Sequence, residues 1–102
     1  MAKVILQISY EIDEQQRTEY LDLAAKMRNH FKETLKKDYS LYEVKGKKNS
    51  FVEQYVCNSM EEYEALEDDQ DEKSGELVNE LEALLKNGKA RYITLVESDS
   101  GS

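Results

Sequence analysis

The chain has 102 residues, with 22 acids against 14 bases for a formal net charge of −8, no proline, no tryptophan and one cysteine. A chain of this length makes one small domain, and the lone Cys57 excludes an internal disulfide or a multi-cysteine metal or iron–sulfur site. The acidic balance argues against nucleic acid and anionic membranes as partners, since both reward basic surfaces.

Met1 to Gln7 turns polar too soon for a signal peptide, and no apolar run approaches the ~18 residues of a membrane span, so a cytoplasmic location is expected. From Lys3 to Ile12 the even positions Val4, Leu6, Ile8, Tyr10 and Ile12 alternate with Ile5, Gln7, Ser9 and Glu11, a period of two that predicts a strand with its even face on the core. Asp13 and Gln16 have the form of an N-cap with a reciprocal side chain. The helix they introduce carries Tyr20, Leu23, Ala24, Met27, Phe31 and Leu35 at spacings of three and four, and Lys36 and Lys37 close it at the negative end of its dipole.

Tyr39 to Lys45 and Phe51 to Cys57, joined by the polar Gly46 to Ser50, predict a hairpin. Ser59 and Glu62 then form a Ser-x-x-Glu capping box. The second helix starts its apolar stripe at Met60, Tyr63 and Leu66, loses it near residues 68–75, and resumes it at Leu77, Val78, Leu81, Leu84 and Leu85. Two helical pieces with a break are predicted, the later one stopped by Asn87-Gly88, with a last strand over Arg91 to Glu97. Residues 1–97 are thus one α+β domain and 98–102 a disordered tail.

The order β-α-β-β-α-β is the ferredoxin-like pattern, a four-stranded antiparallel sheet with two helices on one face. Its open face would expose Ile5 and the third strand's apolar residues, which argues for a homodimer formed through that face. The charge is local: residues 61–76 hold nine acids and one base, and the remainder balances.

This topology, and above all the run from Phe51 through Glu53, Tyr55 and Cys57 into Ser59, Glu61, Glu62 and Tyr63, resembles the dimeric α/β-barrel superfamily, in its antibiotic-biosynthesis-monooxygenase-like and NIPSNAP-like branches. The resemblance implies a homodimer of facing sheets with a pocket in each half, and functions that include cofactor-free oxygenation of aromatic molecules and haem degradation. Tyr55 is the nearest stand-in for a tryptophan that monooxygenase-like members often carry there, and His30 is the only histidine that could serve as a haem ligand.

Gln7, Ser9, Glu53 and Tyr55 are the polar positions expected on the open face, as ligand-binding residues. Glu53 would be a general base with a pKa raised by burial and Tyr55 a donor to a substrate oxygen. The plain alternative is a hydrogen-bond network across the dimer interface. The opposite phase of the third strand would instead turn Val52, Gln54 and Val56 to that face. His30 reads as a boundary residue of the first helix and Cys57 as a core filler.

No metal is expected. Asp69, Asp71 and Glu80 fit positions 1, 3 and 12 of an EF-hand loop, but position 5 is Lys73 and the glycine, Gly75, stands at 7 instead of 6. No cofactor is expected either. The function that follows is the binding of a small apolar or aromatic molecule between sheet and helices, with cofactor-free monooxygenase chemistry as the resemblance implies. The alternative is a non-catalytic dimerisation or regulatory domain whose acidic helix faces a partner.

Overall fold

A computed structural model of the chain describes residues 2–68 and 71–98. Strands β1 (Val4–Ile12), β2 (Tyr39–Glu43), β3 (Ser50–Cys57) and β4 (Leu85–Val96) form one sheet in the order β2-β3-β1-β4. All neighbouring strands are antiparallel. Helices α1 (Arg17–Arg28), α2 (Met60–Asp68) and α3 (Glu72–Leu84) complete an α+β, ferredoxin-like domain. Among the described residues no helix is long and apolar enough to cross a membrane.

The even face of β1 meets the helices as its alternation predicts. Tyr10 and Ile12 join Tyr20, Leu23 and Met27 of α1, Phe51 of β3, and Leu77 and Leu81 of α3 in one buried core. Where α1 begins the structure departs from the predicted cap: Asp13 accepts no hydrogen bond through its side chain, and residues 14–16 form a 3-10 turn instead.

At its other end α1 widens into a π-helical turn over Asn29–Thr34, with the Leu35 amide bonded to the His30 carbonyl five residues back. The reason lies in the apolar spacing. Met27, Phe31 and Leu35 recur in steps of four, and each such step overshoots an α-helical turn by about 40°. The wider turn keeps Phe31 and Leu35 facing the sheet side. Lys36 then takes a left-handed φ of 57° and the Lys37 amide bonds the Phe31 carbonyl, which ends the helix.

The hairpin between β2 and β3 is tied to the start of α1 by Arg17, which grips both carboxylate oxygens of Glu43 at 2.7 and 2.8 Å and donates to Asn49 Oδ1 at 2.7 Å. This bidentate pair, with a further bond from the Asn49 amide, holds the Glu43 carboxyl down to about 2. The Asn49 carbonyl accepts from Ile12, so one turn residue joins three elements.

Ser59 caps α2 as predicted, with its Oγ accepting from the Glu62 amide while Glu62 accepts from the Asn58 amide. The predicted interruption of the second helix is present: α2 ends at Asp68, and Asp71 caps α3 by accepting from the Ser74 amide. Asp69 and Gln70 lie outside the described residues, as does most of the expected tail, 99–102.

Asn87-Gly88 does not cap α3. The helix passes straight into β4 at Leu85, and the pair, with φ of 60° and 63°, sits in a bulge where the register jumps from Tyr10 opposite Ala90 to Ile12 opposite Leu85. Asn and Gly suit a left-handed backbone in either setting, so the local signal does not distinguish them.

Leu77→Ala should lower the unfolding free energy by ~2–5 kcal/mol, because Leu77 is 1% exposed within the core. Leu21→Ala, on the exposed side of α1, should change it by less than ~0.5 kcal/mol. Urea denaturation of the two variants checks the assignment of the core.

Candidate ligand cavity

A cavity of about 390 Å³ lies between the sheet and the helices and opens in part to solvent. Its floor is the helix-facing side of the sheet: Leu6 and Ile8 of β1, Tyr55 of β3, and Tyr92 and Thr94 of β4. These meet because the register sets Leu6 between Tyr55 and Thr94, and Ile8 opposite Tyr92. Phe31, Leu35 and Lys37, at and after the π turn, make one wall. Tyr63 and Leu66 of α2 with Ser74 and Val78 of α3 make the rest. The Tyr63 hydroxyl lies 2.9 Å from Thr94 Oγ1 and ties α2 across the cavity to β4.

The four residues expected to share the open face separate onto the two faces of the sheet. Gln7 and Ser9 do lie on the open face, where Gln7 donates to Gln54 Oε1 at 3.0 Å and Ser9 stands opposite Val52 and Arg91. Glu53 and Tyr55 do not. Glu53 pairs with Ile8 and Tyr55 with Leu6, so both point toward the helices, and it is the opposite phase, Val52, Gln54 and Val56, that joins Gln7. The pleat allows no mixture: residues directly opposite on neighbouring strands share a face.

Tyr55 reaches the cavity and Glu53 does not line it. Between them stands an aromatic partition, in which Tyr55 packs on Tyr39 at 4.9 Å and on Phe31 at 5.9 Å between ring centres. Behind it Glu53 is 3% exposed, accepts from the Tyr39 hydroxyl at 2.7 Å, and has no partner for Oε2. Burial pushes its carboxyl pKa up, against the lowering effect of the hydrogen bond from Tyr39 and of the nearby Tyr10 hydroxyl. Burial first, and then the nearby Glu53 carboxyl, raises the phenol pKa of Tyr10, Tyr39 and Tyr55, so these hydroxyls stay protonated. Tyr10 also shares a 2.8 Å hydrogen bond with Tyr20. Neither Glu53 nor Tyr39 lines the cavity, so Glu53 bears on its wall through Tyr39, whose ring packs on Tyr55.

The fold assembles a further polar cluster from distant parts of the sequence. His30 Nε2 lies 3.0 Å from an Asp71 carboxylate oxygen and 3.2 Å from Ser74 Oγ, and the Ser74 hydroxyl donates to Asp71. These are the residue types of a nucleophilic triad in a different geometry. Serine and carboxylate meet the same ring nitrogen, whereas a relay needs them on opposite nitrogens. The cluster latches the π turn to the N-terminus of α3. Ser74, first in effect, and His30 hold the Asp71 carboxyl below its ordinary range. His30 is therefore not a boundary residue but a buried latch. Cys57 is buried where β3 ends, opposite Val4, and burial raises its thiol pKa. Among the described residues no three His, Cys, Asp or Glu side chains converge as a metal site would require.

No protein-family model and no curated protein matches the sequence. Solved structures do match the fold. A NIPSNAP family protein from Agrobacterium tumefaciens strain C58 aligns with a TM-score of 0.75 at 12% identity, over 95% of this chain and 87% of its own. A conserved protein from Methanosarcina mazei Go1 aligns with a TM-score of 0.78 at 13% identity, over 96% and 95%. A mutant of SnoaB, described as a cofactor-independent oxygenase from Streptomyces nogalater, aligns at 0.70 and 14%, over 91% and 90%. At 12–14% identity the likeness is one of fold, the α+β ferredoxin-like arrangement described above.

Stability should fall as pH rises above the ordinary carboxylate range. Folded Glu53, with its raised pKa, keeps a proton that the unfolded chain has released, at up to about 1.4 kcal/mol per pH unit until the folded group also ionises. Glu53→Gln should remove that part of the slope, and urea titrations of both proteins from acid to neutral pH measure it.

Proposed function

We propose that the protein binds a small, largely apolar or aromatic molecule in the cavity between sheet and helices, and that it works as a homodimer through its open sheet face. The observation that carries the first statement is the cavity itself. At about 390 Å³ it falls within the ~300–1,000 Å³ of small-molecule sites, and its wall is apolar and aromatic with a few hydroxyls. The aromatic rings of Phe31 and Tyr55 in its lining favour an aromatic guest.

The likeness to SnoaB, described as a cofactor-independent oxygenase, favours a second reading in which the bound molecule is oxidised without a cofactor. In such chemistry the substrate itself supplies the electrons that reduce dioxygen, so it must be an electron-rich phenol or quinol. Tyr55 lines the cavity and, kept protonated, would be the donor to its oxygen. Glu53, outside the cavity, takes no direct part.

Binding of 2-naphthol, followed by fluorescence titration, should weaken at least about tenfold in Val78→Trp, where the indole enters the cavity from a partly exposed position of α3. Unchanged binding would sink the assignment of the cavity. Dioxygen uptake with a panel of quinols, lost in Tyr55→Phe, is the outcome expected of the second reading.

For the dimer, the support is the composition of the open face. Ile5, Val52 and Val56 continue into Ile93 and Leu95 of β4, which are 39% and 44% exposed, beside an exposed Tyr42. A second copy of the same face would cover this surface at about 25 cal/mol per Å² of apolar area. Sedimentation should give twice the chain mass, and Ile93→Lys the single mass.

A further inference from the structure

We infer that the cavity takes an organic anion: an apolar or aromatic molecule bearing a carboxylate or similar acidic oxygen group, seated with its charged end at Lys37. The inference deepens the proposed ligand site and rests on it.

Among the described residues Lys37 is the one charged residue that lines the cavity. The chain carries an excess of eight negative charges, yet among the described residues no carboxylate lines this wall, while the half-buried Lys37 does. Its backbone is fixed at the rim, because the left-handed turn at Lys36 and the bond from the Lys37 amide to Phe31 end the π turn there. Among the described residues Lys37 makes no ion pair.

Its position also places the polar end of the cavity. The Asp38 carbonyl accepts from the Val56 amide at 2.9 Å, which sets Lys37 beside the end of β3, where Cys57 stands opposite Val4, one register step along the same face from Leu6. The carboxylates of Glu62 and Asp38 also act on the Cys57 thiol, but both are exposed and neither lines the cavity. Thr94, opposite Leu6 on the other side, shares its hydroxyl bond with Tyr63. That bond uses one of the two hydroxyl protons. The other is left to donate to a ligand oxygen, so an acidic group at this end meets an ammonium and a hydroxyl donor together. The apolar body would then lie over Leu6, Ile8 and the rings of Phe31 and Tyr55. Partial enclosure screens this charge pair less than open solvent would.

The test compares two probes of one shape, naphthalene-2-carboxylate and the neutral 2-naphthamide, by isothermal titration calorimetry at neutral pH and low salt. The intact protein should bind the carboxylate about tenfold more tightly than the amide. Lys37→Met should abolish that preference, so that the two probes bind alike, and Lys37→Arg should keep it. Equal affinity for both probes in the intact protein, or a preference that survives in Lys37→Met, overturns the inference and leaves the cavity as a site for neutral molecules. Binding of neither probe overturns the ligand site and this inference with it.

Discussion

The pairing of β1 with β3 decides what each face of this sheet can do. With Leu6 opposite Tyr55 and Ile8 opposite Glu53, one strand brings a carboxyl and a phenol under the helices, and the other supplies the apolar floor beside them. A shift of one residue would invert the arrangement, because the side-chain period of a strand is two. The shifted sheet would bury Gln54 among the helices and set Glu53 on the open face. The antiparallel ladder from Val4–Cys57 to Glu11–Ser50 is continuous, so the assignment holds along the whole strand.

This register imposes a cost at Glu53, and the surrounding tyrosines offset part of it. A carboxyl taken from water into an apolar core loses its hydration, and one hydrogen bond from Tyr39 cannot replace all of it. Its pKa therefore rises, which favours the neutral form. The same network orders Tyr39, whose ring packs on Tyr55 and Phe31. A polar group that is poor for stability thus braces the aromatic wall of the cavity.

The opposite wall depends on two irregular places in the helical layer. The π turn carries Phe31 and Leu35 onto the sheet side, and the interruption between α2 and α3 lets Tyr63 and Val78 approach the cavity from separate helices. The His30, Asp71 and Ser74 latch joins the two irregularities. An uninterrupted second helix could not present α2 residues at β4 and α3 residues against α1 in the same way. Local departures from regular helix are what leave space in an otherwise packed core.

The element order, the even face of β1, the stripe of α1, the Ser59 capping box and the break in the second helix were all legible from the residues, because each is written in local periodicity or in a short-range side-chain bond. Such signals need only neighbours within a turn or two. Which face of β3 meets the helices was not legible: Phe51, Tyr55 and Cys57 in one phase and Val52 and Val56 in the other are all apolar, so alternation carries no contrast in a strand half-buried on both sides. The candidate site moved with that choice, since Tyr55 left the open face, while Gln7 and Ser9 stayed there. Lys37, Tyr63 and Thr94 escaped notice because one reads as a helix terminator, one as stripe and one as ordinary strand. Only the closing of the chain makes them neighbours. The sequence by itself therefore determined the parts and their order, through forces that act along the chain, and the tertiary structure alone decided the cavity, because strand register and helix placement are settled by contacts between residues far apart in it.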